Sequence, residues 1–133
     1  MYGYTIADMG EYYEVVEIVI PLEELKERKI VELKLIRDTK ELEPILYNEH
    51  YFDFDQKSYE RITAAIYSLD VSGGDIAWTT ADNKTVTVTA DDLRGVIVQA
   101  AIRSNELHIR YRELREQVDK VTTKEELDNI VWG

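Results

Sequence analysis

Two histidines and a scatter of carboxylates are the residues from which chemistry would start in this chain of 133 residues. Glu49, His50, Asp53 and Asp55 lie close together. Carboxylate oxygens with one imidazole suit a hard divalent cation or an acid–base pair. A structural role competes with that chemistry. Asp53 or Asp55 precedes an apolar-periodic stretch and suits a helix N-cap, which leaves His50 in a turn. The structural role is preferred here, so no metal, cofactor or catalytic residue is assigned. His108 follows Leu107 on a predicted helix with Arg103, Arg110, Arg112 and Arg115, the setting of a surface or interface histidine rather than a general base. Asp91 and Asp92 are adjacent on a helix and project in different directions, so they form no catalytic pair. No Ser-His-Asp spacing, Gly-rich phosphate loop or zinc pattern occurs. Tyr2, Tyr4, Tyr12 and Tyr13 cluster near the N-terminus and are candidate contact residues for a protein or a sugar, with packing as the competing explanation.

The elements that position these residues centre on Trp78 to Val121. Residues 76–81 and 84–89 favour strands, and Val86 and Val88 alternate with Thr85, Thr87 and Thr89. Asp82-Asn83 tolerates the left-handed angles of a hairpin turn. Trp78 is expected to cover the inner face. Thr89 then caps a helix, with Asp91 and Asp92 at its positive end and Asp92 completing a capping box. Leu93, Ile97, Ala100, Ser104, Leu107, Tyr111, Leu114, Val118 and Val121 follow at alternating spacings of four and three, a heptad seam interrupted in hydrophobicity at Ser104. A helix of about 30 residues is roughly 45 Å long. Part of it must pack on another helix or another subunit, which makes Ile97, Leu107, Tyr111, Leu114 and Val118 candidate interface residues.

Earlier in the chain, residues 12–20 read as a strand, either an edge of this domain or a segment that adds to a neighbour's sheet. Pro21, Glu23 and Glu24 start a helix that runs from Leu22 to about Leu42. Leu22, Leu25, Leu33 and Ile36 share its face, the stem of Lys29 bridges a gap, and Pro44 stops it. Ile45 to Phe54 forms a second short hairpin with Asn48 at its turn, followed by a helix with the stripe Tyr59, Ile62, Ile66 and Leu69. Residues 72–75 are a loop. Thr123 and Glu126 begin a last short helix whose apolar face is Leu127, Ile130 and Val131, with Trp132 packing back. The expected fold is α+β and mainly helical. It has two short β-hairpins each followed by a helix, one long heptad-patterned helix and a short final helix. Residues 1–21 form an N-terminal strand and docking segment, and residues 22–133 a single α+β domain.

The net charge of −11 disfavours nucleic acid and anionic membranes and favours basic partners. The absence of cysteine removes disulfides and thiolate metal sites. No apolar run reaches the length of a membrane span, and no basic-then-apolar leader opens the chain, so synthesis in the cytoplasm is the expectation.

Three ordered segments carry a family resemblance. Tyr47-Asn48-Glu49-His50-Tyr51-Phe52-Asp53-Phe54-Asp55, followed by residues 58–62, is similar to a Tyr-Asn-Gly-His-x-Phe-Asp-x-Asp motif leading into a helix, with Glu49 standing where the motif has Gly. Residues 78–93 are similar to Trp-x-Thr-Ala-Asp-Asn-x-x-Val-x-Leu-Thr-Ala-Asp-Asp-Leu, and the ending 122–132 also matches. Together they resemble a domain of unknown function found in phage and prophage tail proteins of the tail-fibre and tail-fibre-associated type, over roughly residues 22–132. The resemblance implies a non-enzymatic structural or assembly protein, made in the bacterial cytoplasm and carried in the virion tail if structural. Its implied partners are other phage tail proteins and, where it builds a fibre, further copies of itself as a trimer, with no nucleic acid or membrane. The resemblance brings no catalytic residues. Two other classes stand beside it: an acidic phage-encoded inhibitor that mimics nucleic acid to block a host protein, and a small metal-dependent hydrolase centred on His50.

Overall fold

The computed structural model describes residues 2–8 and 13–133, with side chains described from Val19 onward. Strands β1 (Tyr2–Asp8) and β2 (Tyr13–Val19) pair antiparallel, from Tyr2 opposite Val19 to Asp8 opposite Tyr13. The strand expected over residues 12–20 therefore finds its partner immediately upstream, in a segment whose Gly3 and Ala7 dilute any strand pattern. Helix α1 (Leu22–Glu41) follows, then β3 (Ile45–Tyr47), β4 (His50–Phe52), α2 (Gln56–Ser72), β5 (Asp75–Thr79), β6 (Thr85–Thr89), α3 (Ala90–Lys120) and α4 (Lys124–Asp128). The fold is thus α+β and mainly helical, with β3–β4 and β5–β6 each leading into a helix, as the residue patterns imply.

The turns follow from their residues. Asn48 and Glu49 both have positive φ, 49° and 69°, and Tyr47 pairs with His50 across them. This is a two-residue hairpin turn of the type I′ class, whose twist matches the strands. His50 thus begins a strand instead of lying in a turn, because the turn closes in two residues. The β5–β6 turn is one residue longer than expected. Asn83 N–H donates to the Thr80 carbonyl, Thr80 N–H donates to that of Lys84, and Asn83 has φ 61°. That pattern is a three-residue loop ending in a left-handed position, a role open to Asn at low cost. Thr80 is buried beneath it, donating its hydroxyl to Asp82 and accepting from Lys84 N–H at 3.2 Å. The Thr80 bond holds the Asp82 carboxyl below its usual range. Helix α2 runs on to Ser72, and Gly73 and Gly74, both at positive φ, make the whole connection to β5.

The chain divides into two compact units, Met1–Leu35 with Arg110–Gly133, and Ile36–Ile109. In the first, Leu25 and Leu33 of α1 pack with Tyr111, Leu114 and Val118 of α3 and with Leu127 and Ile130. The lower half of the heptad seam is therefore filled by the chain's own α1. Lys29 lays its stem on this cluster and donates to the Ile130 carbonyl at 3.2 Å, so the gap in the α1 stripe is bridged as its side chain allows. Trp132 packs back on the cluster, whereas Val131 is exposed, because α4 ends at Asp128 and the helical face does not continue to it. In the second unit Ile45, Phe52, Ile62, Leu69, Val88, Leu93 and Val96 form the core, with Trp78 covering it from β5. The Ala81 amide donates to the Tyr51 carbonyl at 2.8 Å, tying the loop of one hairpin to a strand of the other.

Candidate functional site

Within Ile36–Ile109 the polar interruption of the seam becomes a node. Ser104 donates its hydroxyl to the Glu41 carboxylate at 2.5 Å, and His108 Nε2 lies 3.2 Å from the same Glu41 oxygen. Ser104 and His108 are one turn apart on α3, so both reach one acceptor. The carboxylate, not the imidazole, accepts the serine hydroxyl, so the order of groups needed to make serine a nucleophile is not formed. Arg103 turns the other way and donates to the carbonyls of Glu41, Glu43 and Pro44 at 2.6, 2.8 and 3.2 Å. The last carbonyl of α1, that of Glu41, has no partner within the helix, and the guanidinium fork supplies it together with the two loop carbonyls that follow. Burial pushes the Arg103 pKa down, opposed by Glu43 and Glu41.

Beside this node lies an open groove of about 350 Å³. Ile97, Ala100, Ala101 and Ser104 of α3 line it, with Phe54, Asp55, Gln56 and Tyr59 on one side and Glu41 and Leu42 on the other. Two alanines one position apart leave the space, because neighbouring positions carry longer side chains. Phe54 and Tyr59 meet edge to face at 5.7 Å. Asp55 is the N-cap of α2 and accepts from Ser58 N–H at 2.9 Å. Hydrogen bonds from Ser58 hold its carboxyl below the usual carboxylate range, with the Arg61 charge acting in the same direction.

A family model described as a domain of unknown function, DUF4376, matches residues 24–131. The chain belongs to the DUF4376 family. No curated protein and no solved structure matches it. The DUF4376 region thus contains the node, the groove and both hairpins whose motifs were singled out, Tyr47–Asp55 and Trp78–Leu93.

Against that geometry the candidate residues fall in different places. Tyr2 and Tyr4 lie on β1 and Tyr13 on β2, with their side chains outside the described residues, and Tyr12 is outside them entirely. Tyr111, Leu114 and Val118 are buried in the α1–α3 cluster and Leu107 is half-buried, while Ile97 lines the groove. Glu49, His50, Asp53 and Asp55 do not converge, and among the described residues no group of three or more His, Asp or Glu is placed to hold a metal ion. Asp91 pairs with Arg94 at 2.8 Å, whereas Asp92 exchanges hydrogen bonds with Thr89 at 2.9 and 3.2 Å, a reciprocal capping box. Arg94 also binds the Asp70 carboxylate. Asp92 further accepts from the Tyr47 hydroxyl at 3.4 Å. Burial first, then the charge of Asp92, pushes the Tyr47 phenol pKa up. The reading of residues alone missed Gly95, the carbonyl-binding role of Arg103 and the groove. A glycine inside a helical pattern was the available signal for the first. Nothing local ties Arg103 to carbonyls some 60 positions away.

Proposed function

We propose that this DUF4376 protein is a non-enzymatic, phage- or prophage-encoded assembly protein of the tail-fibre type that works through protein–protein contact. The motif resemblance supplies the tail association. The observation that carries contact as the mode of action is the N-terminal hairpin. Strands β1 and β2 pair only with each other among the described residues, so each has an outer edge with no strand bonded to it. A two-stranded hairpin is marginal by itself and is stabilised by added strands, and such edges recruit strands from other chains. With α1 packed against the lower seam of α3, the hairpin is the segment we assign to join a sheet of another tail component.

The acidic-inhibitor reading rests on the charge of −11. It gains less support, since several carboxylates are offset by a neighbouring cation, as in Glu24–Arg28, Asp70–Arg94 and Asp128–Lys124. The test is to tag the chain after Gly133 in a host carrying the encoding phage and fractionate the particles. The chain is expected with tails or tail-assembly intermediates, and removal of Met1–Val19 abolishes that association while circular dichroism retains the helical signal. A chain absent from every tail fraction, or held there equally well without the hairpin, overturns the reading.

A further inference from the structure

The groove over Ala100 and Ala101 belongs to no contact drawn so far. Its walls are open: Leu42 is 54% exposed and Tyr59 41%. Apolar and aromatic side chains from three parts of the chain, Leu42, Phe54, Tyr59 and Ile97, surround the two alanines. An open trough lined in this way fits the side chains of a peptide laid along a helix-lined cleft.

Charge selects the occupant. The acidic side chains lining the groove are Glu41 and Asp55, and no lysine, arginine or histidine lines it. Arg103 and His108 lie outside this lining: Arg103 donates to the carbonyls of Glu41 and Glu43, and His108 Nε2 stands 3.2 Å from Glu41. Asp55 stays anionic across the neutral range, because its cap bonds favour the charged form. A second copy of this chain, with its own charge of −11, is a poor occupant. We propose that the groove docks a basic amphipathic segment of another protein, seating an apolar side chain against Ala100 and Ala101 and a lysine or arginine beside Glu41 and Asp55.

The test uses the full chain, isotopically labelled for NMR, and two synthetic helical peptides with leucine on one face. One carries lysine on the other face, the second glutamate. The lysine peptide is expected to shift the amides of Gln56, Tyr59, Ala100 and Ala101 in a saturable way, and the glutamate peptide to leave them unmoved. Ala101→Trp fills the groove and is expected to weaken the lysine peptide by about tenfold or more, a change of about 1.4 kcal/mol. Ala64→Trp, at an exposed position of α2, leaves binding unchanged. Asp55→Asn keeps an N-cap side chain while removing the charge, so it weakens binding severalfold without unfolding α2. Shifts scattered over the acidic surface and indifferent to Ala101→Trp and Asp55→Asn mean charge attraction without a site and overturn the proposal. Equal binding of both peptides, or of neither, overturns it as well.

Discussion

At the residue scale, Gly95 shows a local rule set aside for a contact. Glycine inside a helix costs about 1 kcal/mol relative to alanine. Here a Cβ would stand 2.6 Å from Tyr47 Cζ and 2.9 Å from its hydroxyl oxygen, closer than non-bonded atoms approach. The bare backbone of α3 therefore lets the Tyr47 ring lie across the helix, edge-on to Phe52 at 6.3 Å and with its hydroxyl on Asp92. Propensity alone predicts that Gly95→Ala stabilises. The contact reverses the sign, and a net loss of about 1–3 kcal/mol is expected from overpacking. Urea unfolding of Gly95→Ala, alone and in a Tyr47→Ala background, checks it. The loss should vanish or invert once the ring is gone, whereas stabilisation of the otherwise native chain would remove the close approach from the account. Glu49 is a second local exception: at φ 69° it holds a conformation that glycine adopts without cost, and the flanking strand pair keeps it there.

At the element scale, the helices and two hairpins were legible because their signals are periodic and local. The alternation of Thr85 to Thr89, the Thr89–Asp92 and Thr123–Glu126 caps and the four–three spacing of α3 each point to one structure without outside help. What was not legible depends on distant segments meeting. β1 lacks a pattern of its own and is a strand because β2 pairs with it. The groove is assembled from the end of α1, the entry to α2 and the middle of α3, so no window of sequence contains it. The heptad seam was legible as a buried stripe but not as to what buries it, since the same spacing serves a partner helix in the chain or in another subunit. α1 decides this for the lower half, and the burial along the seam sets an order of sensitivities. Leu114 is 1% exposed in the α1–α3 cluster, while Leu107 is half-buried. Leu114→Ala is therefore expected to cost about 2–5 kcal/mol, and Leu107→Ala clearly less. Thermal melts of the two variants measure the difference, and equal losses would mean that the seam is covered evenly along its length.

At the scale of the whole molecule, two features bear on whether the chain assembles with itself. A parallel trimer through the heptad seam would have to expel Leu25 and Leu33 of α1 from their contacts with Tyr111, Leu114 and Val118. Each buried leucine so exposed loses about 1.5–3 kcal/mol of hydrophobic stabilisation, which the new interface would have to exceed. A charge of −11 on each copy adds repulsion, strongest at low ionic strength. The expected species in solution is thus a monomer of 15.5 kDa, independent of concentration and of salt. Light scattering after size exclusion over a wide concentration range measures this directly. A monomer fits an assembly factor that joins a tail component through its N-terminal hairpin, where a foreign strand supplies what a second acidic copy does not. A stable trimer would instead require another face to carry the contact, and the exposed Val98, Ile102 and Ile109 on α3 are the residues it would have to cover. Substituting those three by lysine then separates the cases, dispersing a trimer built on that face and leaving a monomer at its original mass.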